Sequence, residues 1–136
     1  MLGQADQPNQ LDFQDASGNI QAVYESAQGY AVEVAVPGFN GEIRMMVGIT
    51  PNGEILGISV ISHTETAGLG AVAGADNAKG QAFREQFAGL TGKVSLQKDG
   101  GQVDGLSGAT ITSRAIADGV NAALECVNTL EKEGVA

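Results

Sequence analysis

The chain has 136 residues, 43% of them hydrophobic, with 20 glycines, 16 acidic and 7 basic side chains, and a formal charge of −9. That length fits one domain able to bury a continuous core without staples. The negative balance repels nucleic acid and anionic membrane surfaces, and Arg44, Lys79, Arg84, Lys93, Lys98, Arg114 and Lys132 are too scattered to form a basic stripe.

Residues 1–18 are polar and weakly patterned, and they read as an N-terminal extension to a domain at residues 19–130 and a short tail at 131–136. They hold neither a signal-peptide core nor an apolar run long enough to span a bilayer. The chain is therefore expected to be soluble as given, and it is compatible with being the soluble part of a longer anchored protein. Ile20 to Ser26 fit either a short strand or a helical turn.

From Tyr30 a period of two emerges: Tyr30, Val32, Val34 and Val36 alternate with Ala31, Glu33 and Ala35, as in a half-buried strand. Pro37 to Gly41 turn the chain. Ile43, Met45, Val47 and Ile49 then share one face opposite Glu42, Arg44 and Met46, and Pro51-Asn52-Gly53 turns it back. Leu56, Ile58 and Val60 complete an antiparallel meander of three strands.

A helix capped by Asp76 and ending near Gly89 is expected to cover one face with Phe83, Phe87 and Leu90. A strand is expected at Lys93 to Gln97. A longer helix follows, with Ile116, Val120, Ala123, Leu124 and Val127 on its apolar stripe. Cys126, among Leu124, Val127 and Leu130, reads as a small core residue; as the single cysteine it excludes an internal disulfide and a thiolate metal cluster. The fold class is α+β, a mainly antiparallel sheet with helices packed on it and two long ligand-binding loops.

The first long loop, His63-Thr64-Glu65-Thr66-Ala67-Gly68-Leu69-Gly70, is rich in hydrogen-bonding groups. Gly68 and Gly70 allow backbone to approach a flat ligand, and Thr64, Glu65 and Thr66 can meet its polar edge. His63 and Glu65 lie two apart, but no second histidine or carboxylate cluster completes a metal site. The second loop, Asp104-Gly105-Leu106-Ser107-Gly108-Ala109, delivers Thr110 to the start of the long helix, followed by Thr112. Ser107 or Thr110 can serve simply as a helix cap. The same helix start offers unpaired amides and a positive dipole end, which would hold a phosphate without any lysine.

No nucleophile elbow, phosphate-binding Gly-Lys loop or dinucleotide turn is present, and the one histidine leaves no catalytic triad. The chain supplies no catalytic residue of its own, so it is not expected to be a self-sufficient hydrolase or kinase.

Taken in order, Gly29-Tyr30, Gly38-Phe39-Asn40-Gly41, Met46-Val47-Gly48-Ile49, Asn52-Gly53, the loop from His63 to Gly70, and Asp104-x-x-Ser107-Gly108-Ala109-Thr110-x-Thr112-Ser113 resemble the FMN-binding domain family. The resemblance is greatest to the G subunits of Rnf-type ion-translocating ferredoxin:NAD oxidoreductases, and the chain is similar also to the C subunits of sodium-translocating NADH:quinone reductases. It implies FMN linked through its phosphate to the Thr110 hydroxyl by a magnesium-dependent flavin transferase that uses FAD.

It further implies an electron carrier within a membrane complex, on the extracytoplasmic face, anchored by a helix that lies outside these residues. Under this reading Ser107, Gly108, Ala109 and Thr112 surround the phosphate within the motif that includes Asp104 and Leu106, and the loop from His63 to Gly70 lies at the flavin ring. The alternatives are a module that binds FMN or a phosphorylated ligand reversibly, and a purely structural role.

Overall fold

A computed structural model of the chain describes residues 9–11, 18–106 and 108–132. Five strands form one antiparallel meander: β1 (Asn9–Leu11), β2 (Ile20–Ser26), β3 (Gly29–Pro37), β4 (Glu42–Ile49) and β5 (Ile55–Ser62), each paired with its neighbour in sequence. Helix α1 (Ala78–Glu85) and the 3-10 turn Gly70–Gly74 pack at the β5 edge, and helix α2 (Thr110–Lys132) lies over β3 with β2 and β4 beside it. This is an α+β fold. Among the described residues no helix is long and apolar enough to cross a membrane.

The alternation in β3 and β4 sets the register. Tyr30, Val32, Val34 and Val36 face Ile49, Val47, Met45 and Ile43 in turn, and all eight side chains are buried. A slip of one residue would turn this whole set toward solvent, so burial of one face specifies the pairing. The opposite face carries Arg44, bonded to Glu33 and Glu42. On α2, Ile116, Val120, Ala123, Leu124, Cys126 and Val127 are all buried against the sheet.

Four expectations are corrected. The sheet has five strands rather than three: Ile20 to Ser26 form a strand, and Asn9–Leu11, inside the stretch read as an extension, pair with it. In β5, Ile58 and Val60 do face the core opposite Val47 and Met45, but Leu56 is 54% exposed and Ile55 is buried in its place. Gly48 pairs with Gly57 and Ile49 with Ile55, which leaves Leu56 as the extra residue of a β-bulge that reverses the alternation.

No strand forms at Lys93 to Gln97, where only Leu96 bridges Val103. The Asn121 side chain accepts from the Val94 amide at 2.8 Å and donates to its carbonyl at 2.7 Å, taking up the groups a neighbouring strand would have used. Finally, α1 is capped by Asn77, whose side chain accepts from the Gly80 amide at 2.9 Å, while Asp76 bonds Gln81.

Phe83 and Phe87 meet edge to face, with centroids 5.5 Å apart, and lie in the core as expected. Gly80 sits in the interior of α1 where alanine would ordinarily be favoured by about 1 kcal/mol. A Cβ there would lie 2.3 Å from the Ala75 carbonyl oxygen and 2.5 Å from that of Val72, so α1 docks on the preceding turn by backbone approach. Gly80→Ala is therefore expected to lower the unfolding free energy by about 1–3 kcal/mol despite the better helix propensity. Urea unfolding followed by circular dichroism checks this; an unchanged or raised midpoint would contradict the close approach.

Candidate functional site

Three loops meet at the N-terminal end of α2. They are the β3–β4 turn at residues 38–41, the segment from His63 to Gly70, and the approach to α2 through Gly108 and Ala109. Between them lies an open cleft of about 400 Å³, lined by Phe39, Thr66, Leu69, Gly70 and the run Gly108 to Thr112. Phe39, Leu69 and Ile111 are 63%, 44% and 52% exposed, an apolar rim that folding leaves uncovered. The amides of Thr110, Ile111 and Thr112 belong to the first turn, where a helix has no carbonyls of its own to offer them, and the dipole makes this end positive.

Glu65 holds the three loops together. It is buried, and its carboxylate accepts from the Phe39 and Asn40 amides at 2.8 Å each and from the Thr112 hydroxyl at 2.5 Å. Burial pushes this carboxyl up, but the bonds from Thr112, Asn40 and Phe39, with His63 nearby, outweigh it and hold the group below its ordinary range. The His63 Nδ1 in turn accepts from the Glu65 amide at 3.1 Å.

Thr64 donates to the Asn40 carbonyl at 3.2 Å, and the Asn40 side chain donates to the Thr66 hydroxyl at 2.8 Å, adding two bonds between the first and second loops. Gly70 must be glycine because a Cβ would lie 2.4 Å from the Thr112 hydroxyl oxygen. Its close approach is to the protein's own helix.

The approach to α2 is fixed as firmly. The Ser113 hydroxyl donates to the Ala109 carbonyl at 2.8 Å and accepts from the Leu106 amide at 2.9 Å. The Gln86 side chain exchanges two bonds with the Asp104 backbone, at 2.7 and 2.9 Å. Thr110 itself is half-buried, and its hydroxyl accepts from Lys98 Nζ at 3.2 Å. A phosphate here would thus meet a lysine, contrary to the expectation of a site with none. Among the described residues no three His, Cys, Asp or Glu side chains cluster as a metal site.

An apolar rim, unsatisfied amides and one ammonium around a hydroxyl suit a flat aromatic ligand bearing a phosphate, and the volume lies in the range of small-molecule sites. Comparison with known sequences agrees: residues 38–125 match the FMN-binding domain model. The chain belongs to the FMN-binding domain family.

Similar proteins include the G subunit of the proton-translocating ferredoxin:NAD(+) oxidoreductase complex of Clostridium ljungdahlii, 38% identical over 100 residues, covering 74% of this chain and 54% of that protein. The G subunit of the ion-translocating oxidoreductase complex of Methanosarcina acetivorans is 39% identical over 119 residues, covering 86% and 57%. The chain thus spans little more than half the length of these relatives. In the crystal structure of the Na(+)-translocating NADH-quinone reductase from Parabacteroides distasonis, the C subunit shares the fold, with a TM-score of 0.52 and 24% identity over 82% of this chain and 58% of that one.

Of the residues singled out in sequence, Thr66, Leu69, Gly70, Gly108, Ala109, Thr110 and Thr112 line the cleft of this FMN-binding domain. His63, Thr64, Glu65, Gly68, Asp104 and Leu106 stand behind or beside it, and Ser107 lies outside the described residues. Sequence reasoning missed Phe39, Ile111 and Lys98 as parts of the site. Ile111 does carry a signal, being a large apolar residue off the buried stripe of α2, and Phe39 is an aromatic in a Pro-Gly turn. Lys98 has none, because only the fold brings it to Thr110.

Replacing Glu65 by Gln should cost about 1–3 kcal/mol at pH 7, the scale for disturbing a buried, charge-assisted network. Because the folded state holds this carboxyl below its ordinary value of 4.5, its contribution is complete above that value and is lost as pH falls through the lower, folded one. The parent should therefore lose stability on acidification from about pH 5 to about pH 3 more steeply than Glu65→Gln. Equal midpoints at pH 7 and parallel acid limbs in urea unfolding would remove the carboxylate as the tie.

Proposed function

We propose that this chain is the electron-carrying FMN domain of an Rnf-type ion-translocating oxidoreductase complex, holding its cofactor as a phosphoester on Thr110. The observation that carries the reading is the Thr110 hydroxyl on the first turn of α2, at the wall of the cleft and within the Ser-Gly-Ala-Thr run of an FMN-binding domain. FMN when bound supplies one-electron redox chemistry that no side chain here provides.

The chain's own part is placement. Thr110 offers the oxygen that is esterified, and the amides of Ile111 and Thr112 face the phosphate from the start of the helix. Phe39, Leu69 and Ile111 give apolar surface to an aromatic ring, while Thr66 offers a hydroxyl at its edge. Glu65 and Thr112 keep the loops from separating. No acid, base or nucleophile has to act during electron transfer, so the domain is a carrier and gains activity only within the complex.

The relatives named as complex subunits support partner subunits for this chain, and the membrane setting they suggest is met by anchoring through a segment outside these residues. On this reading the domain works at the extracytoplasmic face, and a flavin transferase that uses FAD matures it.

The test is intact mass of parent, Thr110→Ser and Thr110→Ala chains, each produced with a flavin transferase. The parent should gain the mass of FMN less one water, Thr110→Ser should keep part of that adduct, and Thr110→Ala should have none. A yellow parent that loses its flavin on denaturation would favour reversible binding instead, and an adduct retained by Thr110→Ala would exclude Thr110 as the linkage.

A further inference from the structure

We infer that Lys98 is the counter-charge of the attachment site, its ammonium holding the Thr110 hydroxyl before esterification and pairing with the phosphodiester afterwards. The inference rests on the attachment of FMN at Thr110 and names the residue that makes the site accept an anion. The Lys98 Nζ lies 3.2 Å from Thr110 Oγ1, although the two residues are 12 apart in sequence.

The turn that brings it there is built without help from the lysine. Gln97–Asp99 form a 3-10 turn, the Gln97 amide donates to the Val103 carbonyl at 2.7 Å, and the Asp99 amide to the Leu96 carbonyl at 2.9 Å. Asp99 then grips Arg114 on α2 through two bonds of 2.9 Å. This fork fastens the turn to the same helix that carries Thr110, one helical turn further on.

The fork also decides which cation serves the site. Arg114 is committed to Asp99, and each group favours the other's charged form. Lys98, next to Asp99 in the chain, directs its ammonium to the hydroxyl instead.

A phosphodiester keeps one negative charge on a chain that already carries −9. The helix end contributes about half a positive charge, which leaves a deficit that one ammonium in contact covers.

Attachment from a flavin dinucleotide forms the bond between Thr110 Oγ1 and the flavin-side phosphorus and breaks the pyrophosphate bond, with adenosine monophosphate as the leaving group. The hydroxyl proton passes to a base of the transferase or to water, and no electron moves. An ammonium donating to Oγ1 leaves that proton pointing away from the lysine, toward its acceptor, and sits beside the oxygens on which charge accumulates.

The experiment follows adduct formation by intact mass over time, using purified parent, Lys98→Met and Lys98→Arg chains with flavin transferase, magnesium and FAD. Lys98→Met should be modified about tenfold more slowly, the effect of losing one charge-assisted hydrogen bond, while its thermal midpoint stays that of the parent. Lys98→Arg should recover most of the rate. Raising the ionic strength should slow the parent more than Lys98→Met, a response that a merely structural lysine would not show.

Equal rates for parent and Lys98→Met overturn the inference and leave Thr110 as the linkage. A parent that never acquires an adduct removes the attachment and the inference together.

Discussion

The site depends on one buried carboxylate. Glu65 accepts from two amides of the β3–β4 turn and from a hydroxyl of α2, so three segments distant in sequence must meet wherever it is satisfied. A carboxylate shut away from water and left without donors is costly, and this requirement is stricter than any apolar contact among the same loops. Gly38 and Gly70 follow from it: a Cβ at position 38 would lie 2.8 Å from the Glu65 carboxylate, and one at position 70 would strike Thr112. Glycines that look like provision for a ligand are provision for this carboxylate and its donor.

That arrangement also explains how so acidic a chain can present a site suited to an anion. Glu65 turns its charge inward and has it taken up by donors, so it contributes no free acceptor to the cleft. What faces the cleft is apolar rim, hydroxyls and the start of a helix, with Lys98 at Thr110. The charge of −9 therefore describes the molecule as a whole and not the surroundings of Thr110.

The parts of the fold visible in sequence are those governed by neighbours in the chain. Alternation in β3 and β4 and the stripe of α2 are legible because burial repeats with the period of the backbone. β5 departs from its apparent pattern at Leu56 because a bulge depends on the register of its partner, which no local pattern records. Lys93 to Gln97 look like a strand because Val94 and Leu96 are indeed buried, yet the partner is a side chain 27 residues from Val94. Asp76 and Asn77 are both good caps, and only backbone geometry selects the second. At the site, the Ser-Gly-Ala-Thr run leads to an oxygen on the cleft wall, whereas Glu65 reads as facing a ligand and instead faces inward, since composition says nothing about which way a side chain turns.

Placing the reactive oxygen on α2 has a mechanical consequence. The helix runs through 23 residues, roughly 34 Å, and is buried along one side from Thr112 to Leu130. Asn121 clamps it to Val94, and near its far end the buried Tyr30 hydroxyl donates to Glu131, with burial and that carboxylate raising the phenol well above its ordinary range. A group fixed to Thr110 would therefore move with the helix and the sheet together, while the walls of the cleft belong to loops joined through Glu65. For a carrier whose rate depends on the distance from its cofactor to the next centre, a rigid attachment and adjustable walls are the useful combination. Phe39, Leu69 and Ile111 fit that division, because they stand clear of the core and their apolar surface is free to be covered by whatever the cleft receives.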